Sequence, residues 1–199
     1  GLRGLARGWH GARVVQLSDL HSSPLVVEGH LRQYVRMVNA FEPDFIVVTG
    51  DFVTVGQQRY ARRVAEVCRE LRPREATLAV LGNHDYGLWH PGGLGRTPGM
   101  WRCLTAALED AGVIVLHNES RDFFRRGAGV QFVGTHDLWS GRYDPDRAFE
   151  NTRRGVPAVA LVHNPDAAPD LAVRGAEWVL AGHTHGKKTR KTFLHDALF

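Results

Sequence analysis

Four short segments rich in histidine and aspartate each follow a run of apolar residues in this chain. They are Asp19-Leu20-His21, Gly50-Asp51, the Gly-Asn-His-Asp tetrapeptide at 82–85 and the Gly-His-Thr-His tetrapeptide at 182–185. Imidazole nitrogens, carboxylate oxygens and an amide oxygen together suit divalent ions such as Mn²⁺, Fe²⁺ or Zn²⁺. The candidate metal ligands are Asp19, His21, Asp51, Asn83, His163, His183 and His185.

This set of side chains is large enough for two adjacent cations, and a pair of cations is suited to hydrolysing phosphate esters. The four histidines among the candidates disfavour a magnesium site lined only by oxygen. The alternative is ordinary polarity at strand ends. In a chain of this length and composition, chance alone predicts about one Asp-x-His triplet. It predicts on the order of 0.002 occurrences of Gly-Asn-His-Asp. The combination therefore favours a metal site.

Apolar runs alternate with helical patterns, which predicts an α/β protein. A meander between 113 and 133 predicts antiparallel pairing of three short strands, in a second sheet. A stretch rich in glycine and proline at 86–99 predicts a long loop. The other predicted strands are 13–17, 45–48, 77–81, 158–162 and 178–181, and the predicted helices are 28–41, 59–71, 100–110 and 144–153.

Each histidine- or aspartate-bearing segment follows the carboxyl end of a predicted strand. Ligand crevices in α/β sheets form at that edge, so loops far apart in sequence can meet there. Residues two apart in an extended segment point to the same side, so Asp19 and His21, or His183 and His185, could face one site. Glycine before Asp51, Asn83 and His183 would permit sharp turns and close approach of the backbone.

These motifs, with 43–51 (Pro-Asp-Phe-Ile-Val-Val-Thr-Gly-Asp), resemble the calcineurin-like metallophosphoesterases, and within them the bacterial YkuE/YaeI-type branch. The resemblance runs from Val14 to Gly186. It implies an α/β/β/α sandwich of two mixed β-sheets flanked by helices, formed by a metallophosphoesterase domain at 1–186. Residues 187–199 depart from the family pattern and are read as an atypical basic tail. Missing family strands could leave a sheet edge exposed, and this predicts a homo-oligomer through that edge.

The resemblance also implies a role for each ligand. Asp19, His21 and His185 would hold one metal ion. Asn83, His163 and His183 would hold the other. Asp51 would bridge the two ions, and a hydroxide shared by them would attack phosphorus.

Two residues beside the ligands are candidates for catalysis. His84 is placed to protonate the leaving oxygen as a general acid. Asp85 would either orient the His84 ring or cap a turn, and the sequence leaves both open. His136-Asp137 is interpreted as a solvated loop, with a substrate-pocket role as the alternative. Leu88 and Trp89 would either pack or meet an apolar leaving group or lipid.

Composition narrows the partners. The 199 residues carry a formal net charge of +4, which mildly favours anionic partners such as a phosphate ester or an acidic lipid surface. No apolar run reaches the roughly 18 residues of a membrane span. The chain starts at Gly1, so an upstream signal or anchor stays compatible with it, and the compartment is undetermined. Cys68 and Cys103 are interpreted as two buried free thiols.

The first functional hypothesis is a metal-dependent phosphoesterase that favours phosphodiesters. A nucleotide-linked lipid pyrophosphate ranks lower among its substrates, because lipid-A-pathway enzymes often carry arginine where this chain has His84. The second hypothesis is a scaffold that kept the fold and lost catalysis, but such a protein would be expected to lack ligands. The third is a nuclease or nucleic-acid-binding protein, and scattered basic residues without an aromatic-interleaved stripe make nucleic acid an unlikely partner.

Overall fold

A computed structural model describes residues 7–89 and 99–185. The proposed tail at 187–199 and most of the predicted 86–99 loop lie outside these residues. Across the described part, no helix combines the length and the apolar character that crossing a bilayer would need.

The first sheet contains four parallel strands in the order β1-β2-β3-β4. Its strands are β1 (Val14–Leu17), β2 (Phe45–Thr49), β3 (Ala76–Val80) and β4 (Val113–Val115). Every residue of β2 and β3 is buried, because both faces of this sheet are covered. That is why these strands read as continuous apolar runs.

The second sheet is mixed and has the order β5-β6-β7-β8. An antiparallel hairpin joins β5 to β6, and β7 and β8 then add in parallel. The hairpin turns at Arg126-Gly127, where both residues have positive φ (52° and 75°), as a two-residue turn of matching twist requires. Its strands are β5 (Glu119–Arg125), β6 (Ala128–Gly134), β7 (Ala158–Val162) and β8 (Trp178–Ala181).

The layers follow from the alternation of side chains along the strands. In β2, Phe45 and Val47 face the second sheet, where they join a core containing Phe132 and Leu161. Ile46 and Val48 face the opposite way and pack with the first three helices. The helices are α1 (Glu28–Ala40), α2 (Gln58–Cys68), α3 (Met100–Asp110), α4 (Pro145–Phe149) and α5 (Ala168–Val173).

The predicted sandwich of two sheets flanked by helices is confirmed, although within the described residues the first sheet is parallel and not mixed. Four further details of the prediction are wrong. The predicted meander fails at its first strand: β4 pairs in parallel with β3, because α3 returns the chain to the first sheet, and only β5 and β6 form the antiparallel pair. The predicted helix at 144–153 is a single short turn of α4, which Asp144 caps through the Arg147 N–H. Helix α2 ends before the predicted Leu71. Cys68 is buried, as predicted, but Cys103 is exposed; both thiols are free.

Candidate metal centre

The candidate ligands lie where the two sheets end together. Residues 18–21 follow β1, 50–51 follow β2 and 82–85 follow β3 in the first sheet. His163 follows β7 and residues 182–185 follow β8 in the second sheet. Parallel strands from both layers therefore deliver their carboxyl-terminal loops to one edge of the sandwich, as expected for an α/β ligand site.

The backbone in these loops is left-handed rather than extended. φ is +56° at Asp19, +47° at His21, +55° at Asp51, +68° at His183 and +48° at His185. Non-glycine residues rarely adopt this region, and each costs on the order of 1–3 kcal/mol. The expectation that residues two apart share an extended segment is therefore wrong. Strained single-residue turns aim these side chains instead.

Two glycines let the β2 and β3 loops touch, as predicted for the positions before Asp51 and Asn83. A Cβ atom on Gly50 would lie 2.5 Å from the Gly82 nitrogen. A Cβ atom on Gly82 would lie 2.5 Å from the Asp51 nitrogen and would overlap the Asp51 carboxylate. Only hydrogen side chains permit this approach, which brings the two loops within reach of shared ligands.

One group of candidate ligands contains Asp19, His21 and His185. The His21 and His185 Nε2 atoms are 3.3 Å apart. The Asp19 Oδ1 lies 4.0 Å from the first and 3.5 Å from the second. Three ligand atoms thus converge on one small volume.

A second group is centred on His163 and includes Asp19 and Asp51. The His163 Nε2 lies 3.3 Å from the Asp51 Oδ2 and 3.2 Å from the His183 Nδ1. The His183 Nδ1 in turn lies 3.1 Å from the Asn83 Oδ1. Asp51 Oδ2 is also 3.7 Å from the His21 Nε2, so this carboxylate lies between the two groups.

Hydrogen bonds on the far side of the rings orient two histidines. The His163 Nδ1 lies 2.7 Å from the Thr49 carbonyl oxygen, so it carries the proton and donates it. The His21 Nδ1 lies 3.2 Å from the Thr54 hydroxyl oxygen, which itself donates to the His21 carbonyl. When each ring is neutral, its Nε2 lone pair therefore faces the site, which is the usual arrangement of metal-ligating histidine.

The converging atoms are electron-rich and need a positive charge between them. The Asp19 Oδ1 is buried and has no hydrogen-bond partner within the described residues. Burial alone would lower the pKa of His163, but its bond to the Asp51 carboxylate raises that pKa to about 9. Burial also lowers the pKa of His21 and of His183. Either a proton on His163 or metal cations must balance the two carboxylates, and this donor set fits divalent cations.

His84 lies beside the ligand groups. Its backbone N–H donates to the Asp51 Oδ1 at 3.0 Å, which leaves Oδ2 free to face the two groups. Its ring Nδ1 lies 3.3 Å from the Thr54 carbonyl oxygen. The half-buried ring contacts His21 edge-on, with centroids 5.1 Å apart. A ring held in this way can present its Nε2 to a bound ligand.

The Asp85 carboxylate is fully buried and bonds to backbone. It accepts from the Gly82 N–H at 2.9 Å and from the Val53 N–H at 3.1 Å. Within the described residues it makes no hydrogen bond to the His84 ring. Burial, with a further contribution from Asp51, raises its pKa to about 8. Of the two roles that the sequence left open, these contacts are those of the turn cap.

The sequence reasoning missed Thr54 beside the site and misjudged the burial of residues 136–137. Thr54 bonds to His21 and lies against His84, although no motif marks it. Trp139 lies edge-on to the His183 ring, with centroids 5.0 Å apart. The interpretation of 136–137 as a solvated loop is wrong, because His136 and Asp137 are 9% and 1% exposed. Their position after a buried strand was the available signal.

Comparison with known proteins identifies relatives over most of the chain. A family model described as calcineurin-like phosphoesterase matches residues 12–187. The UDP-2,3-diacylglucosamine pyrophosphatase LpxG of Chlamydia muridarum is 27% identical, over 89% of this chain and 64% of its own length. The phosphodiesterase YaeI of Escherichia coli is 29% identical, over 89% of this chain and 62% of its own. The chain thus spans less than two thirds of the length of these curated relatives.

A solved structure shares the fold. The NAD nucleotidase NadN of Haemophilus influenzae superposes with a TM-score of 0.60 at 14% identity, covering 87% of this chain and 38% of that one. At this identity the likeness concerns architecture only. It agrees with the two-sheet sandwich described above.

Proposed function

This chain belongs to the calcineurin-like phosphoesterase family, as its motifs predicted. We propose that it uses two divalent cations to hydrolyse phosphate esters, and that phosphodiesters are its preferred substrates. The proposal rests on the position of the Asp51 Oδ2 between the two ligand groups. This oxygen lies 3.7 Å from the His21 Nε2 and 3.3 Å from the His163 Nε2. An anionic substrate suits a site whose bound cations outweigh its two carboxylates.

The ligand roles follow the two groups of side chains. Asp19, His21 and His185 would hold one cation. Asn83, His163 and His183 would hold the other, and Asp51 would contribute to both. Mn²⁺, Fe²⁺ and Zn²⁺ match these donors. When bound, such a pair supplies activation of water at neutral pH and charge stabilisation on the phosphate oxygens.

His84 is the proposed general acid. Its Nδ1 can donate to the Thr54 carbonyl oxygen, which leaves Nε2 as the position that carries the transferable proton. The ring is partly exposed beside the ligands, so it can reach a leaving oxygen at hydrogen-bond distance. Asp85 supports this arrangement by holding the 82–85 turn and, through it, the backbone of His84. It acts on His84 through the backbone rather than through the ring.

The test is to measure metal content and hydrolysis of bis-p-nitrophenyl phosphate together. We expect about two Mn²⁺ ions per chain after incubation and dialysis, and turnover that a chelator abolishes. Asp51→Asn should lower metal content and turnover, the latter by about 100-fold or more, since loss of its charge weakens both groups. Asp146→Asn, which changes a surface carboxylate that is 82% exposed, is the matched control. Full activity in Asp51→Asn, or a chain that takes up no metal, would refute the proposal.

A pyrophosphate substrate is the second candidate, and the relative named as a UDP-2,3-diacylglucosamine pyrophosphatase favours it. Attack on either phosphorus of a pyrophosphate uses the same ligands. If a sugar-nucleotide pyrophosphate is turned over faster than the diester, pyrophosphates and not phosphodiesters are the preferred substrates.

A scaffold without catalysis and a nuclease are the remaining alternatives. The complete set of ligand types argues against the scaffold.

A further inference from the structure

A large exposed indole lies next to the proposed general acid. Trp89 is 53% exposed, whereas the neighbouring Leu88 is only 2% exposed. The Trp89 ring centroid is 5.0 Å from the centroid of the His84 ring, with the planes tilted by 68°. An exposed tryptophan at this position leaves aromatic surface open immediately beside the reacting centre.

The backbone that carries this indole is anchored to the ligand loop. The Leu88 N–H donates to the Asn83 carbonyl oxygen at 2.8 Å, and the Asn83 side-chain amide donates to the Leu88 carbonyl oxygen at 2.7 Å. The Gly87 N–H donates to the His84 carbonyl oxygen at 2.8 Å. The two residues before Trp89 are therefore hydrogen-bonded to the candidate metal ligand Asn83 and to the proposed general acid His84, and these bonds hold Trp89 in place.

A general acid must lie within hydrogen-bond distance of the leaving oxygen. The leaving group that carries this oxygen would therefore begin next to the His84 ring, and the Trp89 indole lies in contact with that same ring. An indole offers a flat apolar face and a π-system, and it contacts planar rings more favourably than it contacts short alkyl groups. Anchoring the indole in advance also lowers the entropy lost on binding.

We propose that Trp89 is a specificity residue that contacts a planar aromatic ring on the leaving-group side of the substrate. The inference rests on the proposed function. It narrows the substrate class to phosphate esters whose leaving group carries an aromatic ring, which an aryl alcohol or a nucleobase-bearing group would supply. Trp89 contacts the substrate and takes no part in bond making or breaking.

The test measures binding of three non-hydrolysable phosphonates to the Mn²⁺-loaded protein by calorimetry, at a pH where all are dianions. Benzylphosphonate carries a planar ring, cyclohexylmethylphosphonate carries an apolar ring without π-electrons, and ethylphosphonate carries neither. We expect benzylphosphonate to bind about 5- to 10-fold more tightly than ethylphosphonate, a ratio typical of one aromatic stacking contact. Cyclohexylmethylphosphonate should fall between the two.

Variants assign the preference to one residue. Trp89→Ala should reduce the benzyl-to-ethyl ratio to about one, and Trp89→Phe should restore most of it. Trp178→Ala is the matched control, because Trp178 is 43% exposed but lies at the amino end of β8, away from the ligand loops. It should keep the ratio of the unmodified protein. For hydrolysis, Trp89→Ala should raise KM for aryl diesters more than it lowers kcat.

Three results would overturn the inference. One is equal affinity for all three phosphonates in the unmodified protein, and another is equal affinity for the benzyl and cyclohexylmethyl compounds. The third is a Trp89→Ala variant that weakens every phosphonate by the same factor, since that marks a residue that only supports His84. Normal metal uptake and hydrolysis alongside such results would leave the proposed function intact. Failure of every phosphonate to bind would overturn the inference alone if metal uptake and diester hydrolysis are normal, and would refute both if these are absent as well.

Discussion

At the scale of single residues, Asp51 is where the two groups of candidate ligands meet. One of its oxygens accepts the His84 N–H, and the other faces His21 and His163. The same carboxylate therefore helps to position His84, the proposed general acid, and joins the two groups. Burial raises the pKa of Asp51, but its bond to His163 and the nearby His163, His84 and His21 rings together outweigh that effect and lower the pKa. A carboxylate kept ionised in a buried place is suited to binding cations.

His84→Ala should separate acid catalysis from metal binding. Esters with poor leaving groups need a proton on the departing oxygen, whereas p-nitrophenolate leaves readily without one. We expect kcat/KM to fall by 100-fold or more for a phenyl or alkyl ester and by roughly tenfold or less for bis-p-nitrophenyl phosphate. Metal content should stay near that of the unmodified protein. An equal loss on both substrate types would exclude the acid role.

At the scale of elements, the close approach of the β2 and β3 loops determines whether the ligands can converge. Gly50 and Gly82 face one another with no space for a methyl group on either. The left-handed turns at Asp51, Asp19 and His21 then direct side chains into the space between the loops. Strands and helices place these loops at one edge, but their local backbone geometry determines which atoms meet.

Gly82→Ala should damage the site without unfolding the sandwich. The added methyl group would overlap the Asp51 carboxylate, so the β2 and β3 loops must separate. We expect a tenfold or greater loss of Mn²⁺ affinity and a loss of stability of about 1–3 kcal/mol. Far-ultraviolet circular dichroism should remain native, and metal titration gives the affinity.

Gly29→Ala is the matched control for that substitution. Gly29 lies in α1 with nothing within 4 Å of its added Cβ atom. Alanine there should leave metal affinity unchanged and should stabilise the protein by about 0.5–1 kcal/mol, since glycine is a poor helix residue. If Gly82→Ala binds metal as tightly as Gly29→Ala does, the close approach of the loops is not what assembles the site.

At the scale of the whole molecule, a buried aromatic cluster joins the two sheets close to the candidate centre. His117 follows β4 of the first sheet and stacks on His136, which follows β6 of the second, with centroids 4.7 Å apart. The Tyr86 hydroxyl lies 2.5 Å from the His136 Nδ1 and links the cluster to the 82–85 turn. Burial, with His117 close by, lowers the pKa of His136 to about 4.

This shift predicts a loss of stability in mild acid. A folded-state pKa below the ordinary value of about 6.5 means that the unfolded chain binds the proton first. The contribution of His136 is therefore complete above about pH 6.5 and is lost as the pH falls towards 4. Between pH 7.5 and 5, His136 should lower the free energy of unfolding by about 1–2 kcal/mol.

His136→Asn is the comparison, because its amide oxygen can still accept the Tyr86 hydroxyl but does not titrate. Urea unfolding in the presence of chelator, at both pH values, should show a smaller decrease in this variant than in the unmodified protein. Identical decreases would mean that His136 is not buried in its neutral form. Testing without metal keeps proton competition at the cations out of the comparison.

The expectation of a homo-oligomer through an exposed sheet edge also belongs to this scale. Within the described residues β8 is an edge strand of the second sheet, and Trp178 at its start is 43% exposed. Self-association through this edge stays a prediction, as does the separate tail at 187–199.

The sequence by itself determined the family and the order of the strands and helices that build the sandwich. Apolar runs such as 45–48 must be buried, and each motif had to follow a strand to reach the edge. The pairing of β4 was not readable, because a short apolar run fits either sheet and only the packing of α3 selects one. The burial of His136 and Asp137 was misjudged because their polar side chains suggested a solvated loop, although their position after a buried strand pointed the other way.

Only the tertiary structure decided how the side chains of the centre are aimed. Asp19 and His21 were expected to share a face of an extended segment, but left-handed turns set their directions. Aspartate and histidine adopt this conformation more readily than most residues, yet residue type alone does not say which of them will. Both roles considered for Asp85 were compatible with its spacing, and only the contacts of its carboxylate with the Gly82 and Val53 N–H groups favour the turn cap. Local pattern specifies which residues lie at an edge, whereas distances between atoms far apart in sequence depend on how whole layers pack.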